Sequence, residues 1–152
     1  MTSINKVVLF DIDGVILQNK NLSSRISSNV IKYVQHTCPK KISLNEAGYL
    51  NSIFYKNFGH TLRGIHSTFN NKDKYNIKHF CNHVYDNSTL DELSYVISSK
   101  EFKENINTYY FLKFIEKCHR YNTPVMIFSN APMNWCLPII QELDIQNIIP
   151  YD

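Results

Sequence analysis

The stretch from Lys6 to Phe10, KVVLF, is a short β-branched run that breaks directly into Asp11-Ile12-Asp13-Gly14. Its brevity and continuous apolarity suit a strand buried on both faces, as in a parallel sheet. The turn signal at Asp13-Gly14 places both acids at the strand's C-terminal end, where open α/β sheets bind ligands. A second such run, Pro124 to Phe128 (PVMIF), closes on Ser129 and Asn130, and Ile145 to Tyr151 reads as the start of a third strand. Strands that pair in parallel need a crossover between them, and the segment separating the first two is far too long for a simple one. The expected class is therefore α/β: a parallel sheet with an inserted α-helical cap. The core comprises 1–17 and 122–152, the cap 18–121, with the last helix (about 108–121) free to pack on the core.

The inserted segment carries helical signals. Ile26, Val30, Tyr33 and Val34 recur at helical spacing within Ser24 to Thr37, and Pro39 ends the pattern. Ser43-Leu44-Asn45-Glu46 is a capping box that starts a helix through Leu50, Ile53, Phe54 and Phe58, with Gly59 at its C′ position. Ile77 to Tyr85 reads as a short helix capped by Asn76, and Thr108 to Tyr121 as a longer one ended by Asn122. A further helix falls between Asn134 and Leu143. Because proline is tolerated in a first turn, Pro138 places its start near Asn134 to Leu137.

Composition narrows the class. With 152 residues, 43% hydrophobic and 19% charged, the chain is sized for one domain and too apolar for disorder. No apolar run reaches the roughly 18 to 20 residues of a membrane span. The polar start followed by a short apolar run lacks the form of a secretory signal, so a soluble cytoplasmic protein is expected. The 16 Lys and Arg are scattered without a basic block, which argues against nucleic acid as a partner. Cys38, Cys81, Cys118 and Cys136 are widely spaced and read as reduced, structural thiols.

Two carboxylates at i and i+2 after a buried strand concentrate negative charge, a costly arrangement that a cation relieves. Mg²⁺, which favours oxygen ligands, is the natural one. A carboxylate is also a competent nucleophile toward phosphorus, and a second acid nearby serves to protonate the leaving oxygen and then activate water. The plainer reading is an acidic turn capping a strand. For Ser129 the plainer reading is a helix N-cap.

FDIDGV (Phe10 to Val15) resembles motif I of the haloacid-dehalogenase-like (HAD) superfamily, and IFSN (Ile127 to Asn130) resembles its motif II. YKNFGHTLRGI (Tyr55 to Ile65) is similar to the Y-x-x-Y-G-x-T-L-R-G-L segment of the pyrimidine 5′-nucleotidase-like branch. FCNHVYD (Phe80 to Asp86) resembles that branch's F-x-x-x-V-H-D, with Tyr85 in place of histidine. The resemblance runs in register over nearly the whole chain. It implies a partial HAD-type Rossmann-like sheet and a phosphatase acting on a small phosphate monoester, a nucleoside 5′-monophosphate first. Asp11 would be the nucleophile and Asp13 the general acid/base. Both residues would ligate Mg²⁺, Asp13 through its backbone carbonyl. Ser129 and Asn130 would bind phosphate, and Tyr55, Thr61 and Arg63 would be cap contacts to substrate.

The family also carries a basic motif III and an acidic motif IV after motif II. In this sequence the last basic residue is Arg120, and only Glu142, Asp144 and Asp152 follow as acids. The chain thus reads as the N-terminal portion of the fold, with an unpaired edge on the first strand that invites self-association. The alternative function is a catalytically impaired homologue that binds a phosphate ligand or a protein. A phospho-acceptor receiver domain would need a separate acceptor strand and a late lysine, and has neither. His79 and His83, at i and i+4, lack the further ligands a zinc site requires. The aromatics Tyr109, Tyr110, Phe111 and Phe114 read as core rather than as a base-stacking platform.

Overall fold

The computed structural model describes residues 7–69 and 76–146. Val8–Phe10 (β1) and Val125–Ile127 (β2) pair in parallel, with Val8 opposite Val125, Leu9 opposite Met126 and Phe10 opposite Ile127. The ladder extends one residue past each end, since Val8 N donates to the Pro124 carbonyl (2.9 Å) and Phe128 N to that of Phe10 (2.8 Å). Eight helices separate or follow these strands among the described residues: Lys20–Thr37 (α1), Leu44–Phe58 (α2), Thr61–Phe69 (α3), Ile77–Val84 (α4), Asn87–Ser98 (α5), Lys100–Lys103 (α6), Ile106–Arg120 (α7) and Met133–Glu142 (α8). The protein is mostly helical with a small parallel sheet, and no described helix is long and apolar enough to cross a membrane.

The chain divides into two compact units, Met1–Asn19 with Asp91–Asp152 and Lys20–Leu90, of which 7–19 with 91–146 and 20–69 with 76–90 are described. One division falls inside α5, well before the boundary near residue 121 drawn from the sequence.

In the first unit the sheet packs one face on α7, where Phe10 meets Phe111 and Phe114 edge-on at centroid distances of 5.0 and 5.6 Å. Its other face is exposed among the described residues. Leu9 is 60% exposed and its register partner Met126 51%. The expectation of a first strand buried on both faces is therefore corrected. Alternation sends Val8 and Phe10 one way and Leu9 the other, and only the first set is covered. The expected third strand is not present where it can be described. Ile145 is buried and its N–H closes onto the Ile140 carbonyl (3.3 Å), while 147–151 lie outside the described residues.

α8 begins at Met133, so Pro138 stands in its interior rather than in its first turn, a second correction. A proline there removes one helical hydrogen bond at a cost of about 3 kcal/mol. Burial of Trp135 and Cys136 before it and of Ile139 and Ile140 after it offsets that loss.

In the second unit, Tyr33, Val34, Ala47, Phe54, Leu62, Ile65, Phe80 and Val84 form one core drawn from α1 to α4. α1 starts a turn earlier than the periodicity suggested, because Leu22 adds a buried position four residues before Ile26. The capping box is complete: Glu46 N donates to Ser43 Oγ (3.2 Å) and Ser43 N to Glu46 Oε2 (2.7 Å). Gly59 ends α2 at φ 71° with its N–H on the Tyr55 carbonyl, and Asn76 Oδ1 caps α4 through His79 N (2.9 Å). Asp86 Oδ1 accepts from both Thr89 N (2.9 Å) and Thr89 Oγ1 (2.7 Å), starting α5.

Gly64 faces the Phe54 ring so closely that an added Cβ would overlap it. Gly64→Ala is expected to destabilise the protein by about 1–3 kcal/mol in denaturant unfolding, as overpacked cores do; an unchanged midpoint would show that the contact is dispensable. Two histidines give the unit a pH response. Burial foremost, then the Arg63 charge, holds His60 below its ordinary value of 6.5. Burial foremost, then the charges of His36 and His79, does the same for His83. The unfolded chain therefore takes up protons before the folded one, so this stability is present above pH 6.5 and lost as pH falls below it. Melting temperature should drop between pH 7.5 and 5.5, and less steeply in His60→Asn.

Candidate functional site

The site is built on the loop that leaves β1. Ile12 is fully buried where the chain turns after β1, while its neighbours Asp11 and Asp13 are both exposed. The Ile12 carbonyl gathers the N–H groups of Val15 (3.4 Å), Ile16 (2.9 Å) and Leu17 (2.9 Å), and Gly14 N returns to the Leu17 carbonyl (3.0 Å). Gly14 turns this loop at φ 78°, a conformation that glycine adopts without steric penalty. Asp11 Oδ1 accepts from Ile12 N at 2.7 Å.

The second wall comes from the end of β2. Because Phe10 pairs with Ile127 in parallel, Asp11 leaves its strand at the same level as Phe128, and Ser129 and Asn130 follow directly. Ser129 Oγ accepts from Ala131 N (3.0 Å), shaping the turn that enters α8. The helix cap itself is Pro132, so Ser129 forms the approach to the helix and not its N-cap. Ser129 is half-buried and Asn130 exposed.

Two residues not singled out from the sequence complete the group. Trp135, fully buried in the first turn of α8, donates its indole N–H to Asp13 Oδ1 (3.0 Å). Cys136 beside it donates its thiol to the Ala131 carbonyl (3.7 Å). Electrostatics record the same proximity. Asp13 remains exposed as a residue, yet desolvation around its carboxyl raises its pKa. The Trp135 hydrogen bond opposes that rise and the Asp11 charge adds to it. The Cys136 thiol is pushed up to about 11 by burial, against its hydrogen bond to Ser129 and with help from the charges of Asp13 and Asp11. No sequence signal showed that the only tryptophan would reach the acids, since that contact joins residues 122 positions apart.

The cap candidates belong to the second unit. Tyr55 on α2 is 62% exposed, and Arg63 on α3 is exposed. Thr61 is buried, and its hydroxyl donates to Asn51 Oδ1 (2.6 Å), joining α2 to α3.

Among the described residues no group of three or more His, Cys, Asp or Glu is arranged to hold a metal ion. Asp11 and Asp13, whose carboxylates feel each other's charge, are the residues that could hold a cation here. No family model matches this chain, and no curated protein matches it either.

At a thiol pKa of about 11, about one Cys136 in a thousand is a thiolate at pH 8. Iodoacetamide should therefore leave Cys136 unmodified in the folded protein at pH 8 and modify it promptly after unfolding, as peptide mass mapping will show. Prompt labelling in the folded state would contradict this placement.

Proposed function

We propose that this protein is a HAD-like phosphatase that hydrolyses a small phosphate monoester, with nucleoside 5′-monophosphates favoured, through an aspartyl-phosphate on Asp11. The observation that carries the reading is the parallel register of β1 and β2, which sets the two carboxylates and the Ser129-Asn130 turn at the same ends of paired strands. The fold supports it at a coarse level, through a parallel sheet interrupted by a long helical segment. The sequence resemblance supplies the family, and a partial HAD-type Rossmann-like core follows from it.

In the first step an Asp11 carboxylate oxygen attacks phosphorus, the ester P–O bond breaks, and Asp13 gives its proton to the leaving oxygen. Water then attacks the aspartyl-phosphate, its proton passes to the Asp13 carboxylate, and Asp11 and inorganic phosphate are released. Ser129 and Asn130 would hold the phosphoryl oxygens. Asp11 and Asp13 would hold Mg²⁺, which neutralises phosphoryl charge when bound. On the second unit Tyr55 and Arg63 have exposed side chains, whereas the Thr61 hydroxyl is engaged with Asn51.

A second reading is a module that binds a phosphate ligand or a protein without turnover. It is favoured by one observation, that Leu9, Met126 and Phe128 stand exposed at the sheet as an apolar surface a partner could cover. Phosphate release from a panel of nucleoside monophosphates with Mg²⁺ separates the two. Turnover that falls by about three orders of magnitude or more in Asp11→Asn, and is lost on chelation, is the expected result. A folded, unmutated protein that turns over none of them would instead leave the binding module.

A further inference from the structure

Asp13 lies on a loop held chiefly by backbone bonds within residues 12–17, so little in that loop itself fixes the direction of its carboxylate. The restraint comes from α8. Trp135 is fully buried in the first turn of α8, and its indole N–H lies 3.0 Å from Asp13 Oδ1. A buried indole is a large, rigid anchor with one donor, and here that donor is spent on a carboxylate oxygen. We propose that Trp135 is a positioning residue: it clamps one oxygen of Asp13 and leaves the other to exchange the proton. This rests on the reading of Asp13 as general acid/base.

α8 starts at Met133, ahead of Pro138. That start places Trp135 in the first turn, directly after the Ser129 turn, so that one short segment shapes the phosphate wall and orients the acid. Hydrogen bonds to a charged acceptor are about twice as strong as neutral ones, and such a bond defines orientation through its angular preference. Misplacing a reacting group by about 1 Å costs up to a hundredfold in rate.

Because the chain has a single tryptophan, its indole N–H gives one proton resonance in a ¹H–¹⁵N spectrum. In Asp13→Ala that resonance is expected to move upfield and exchange faster with water, while Asp13→Asn, which retains an acceptor, shifts it less. An indole signal indifferent to Asp13→Ala overturns the clamp, whether or not the protein is active. In Trp135→Phe, which keeps an aromatic ring and loses the donor, kcat for p-nitrophenyl phosphate with Mg²⁺ should fall about ten- to a hundredfold with KM unchanged. Retention of full kcat overturns the positioning role. Should Trp135→Phe not fold, the Asp13 pair in the otherwise unmutated protein decides the contact. Absence of turnover in the unmutated protein, with the indole shift intact, would count against the phosphatase reading and leave the clamp standing.

Discussion

The parallel pairing of Val8–Phe10 with Val125–Ile127 is the contact on which the first unit depends. It is a three-residue ladder, yet it joins two parts of the chain more than a hundred residues apart, and closing so large a loop carries an entropic cost that the ladder alone does not recover. The packing of Phe10 against Phe111 and Phe114 and the burial of Val125, Ile12 and Trp135 supply the rest. The polar residues after each strand then fall at one end of the sheet as a consequence of register.

The exposed side of that sheet departs from what a parallel pair usually shows. Among the described residues Leu9, Met126 and Phe128 remain exposed on and beside the paired strands. This exposure follows from the same alternation that gives β1 its inward residues.

The helical unit gives a different account of the family-like segments. In YKNFGHTLRGI, Gly59 terminates α2 in a left-handed conformation, Thr61 bonds Asn51, and Gly64 admits the Phe54 ring. In FCNHVYD, Phe80 and Val84 are core and Asp86 caps the next helix. Most of the residues that carry the resemblance thus have a packing or capping reason here. Tyr55 and Arg63 are left with exposed side chains.

Local chemistry made the Ser43-Glu46 box, the Asn76 cap and the Gly59 terminus legible from the amino-acid sequence, because each is satisfied within four residues of itself. The acid pair was legible for a like reason, since both carboxylates lie within three residues of the end of β1. Tertiary structure alone decided that one sheet face stays exposed among the described residues, that α8 runs through Pro138, and that Thr61 is committed to a neighbouring helix. It alone brought Trp135 and Cys136 to Asp13. Those outcomes depend on contacts between residues distant in sequence, whose partners no local pattern specifies; the side chains that tune the acids are set by packing, whereas the acids themselves are set by the chain.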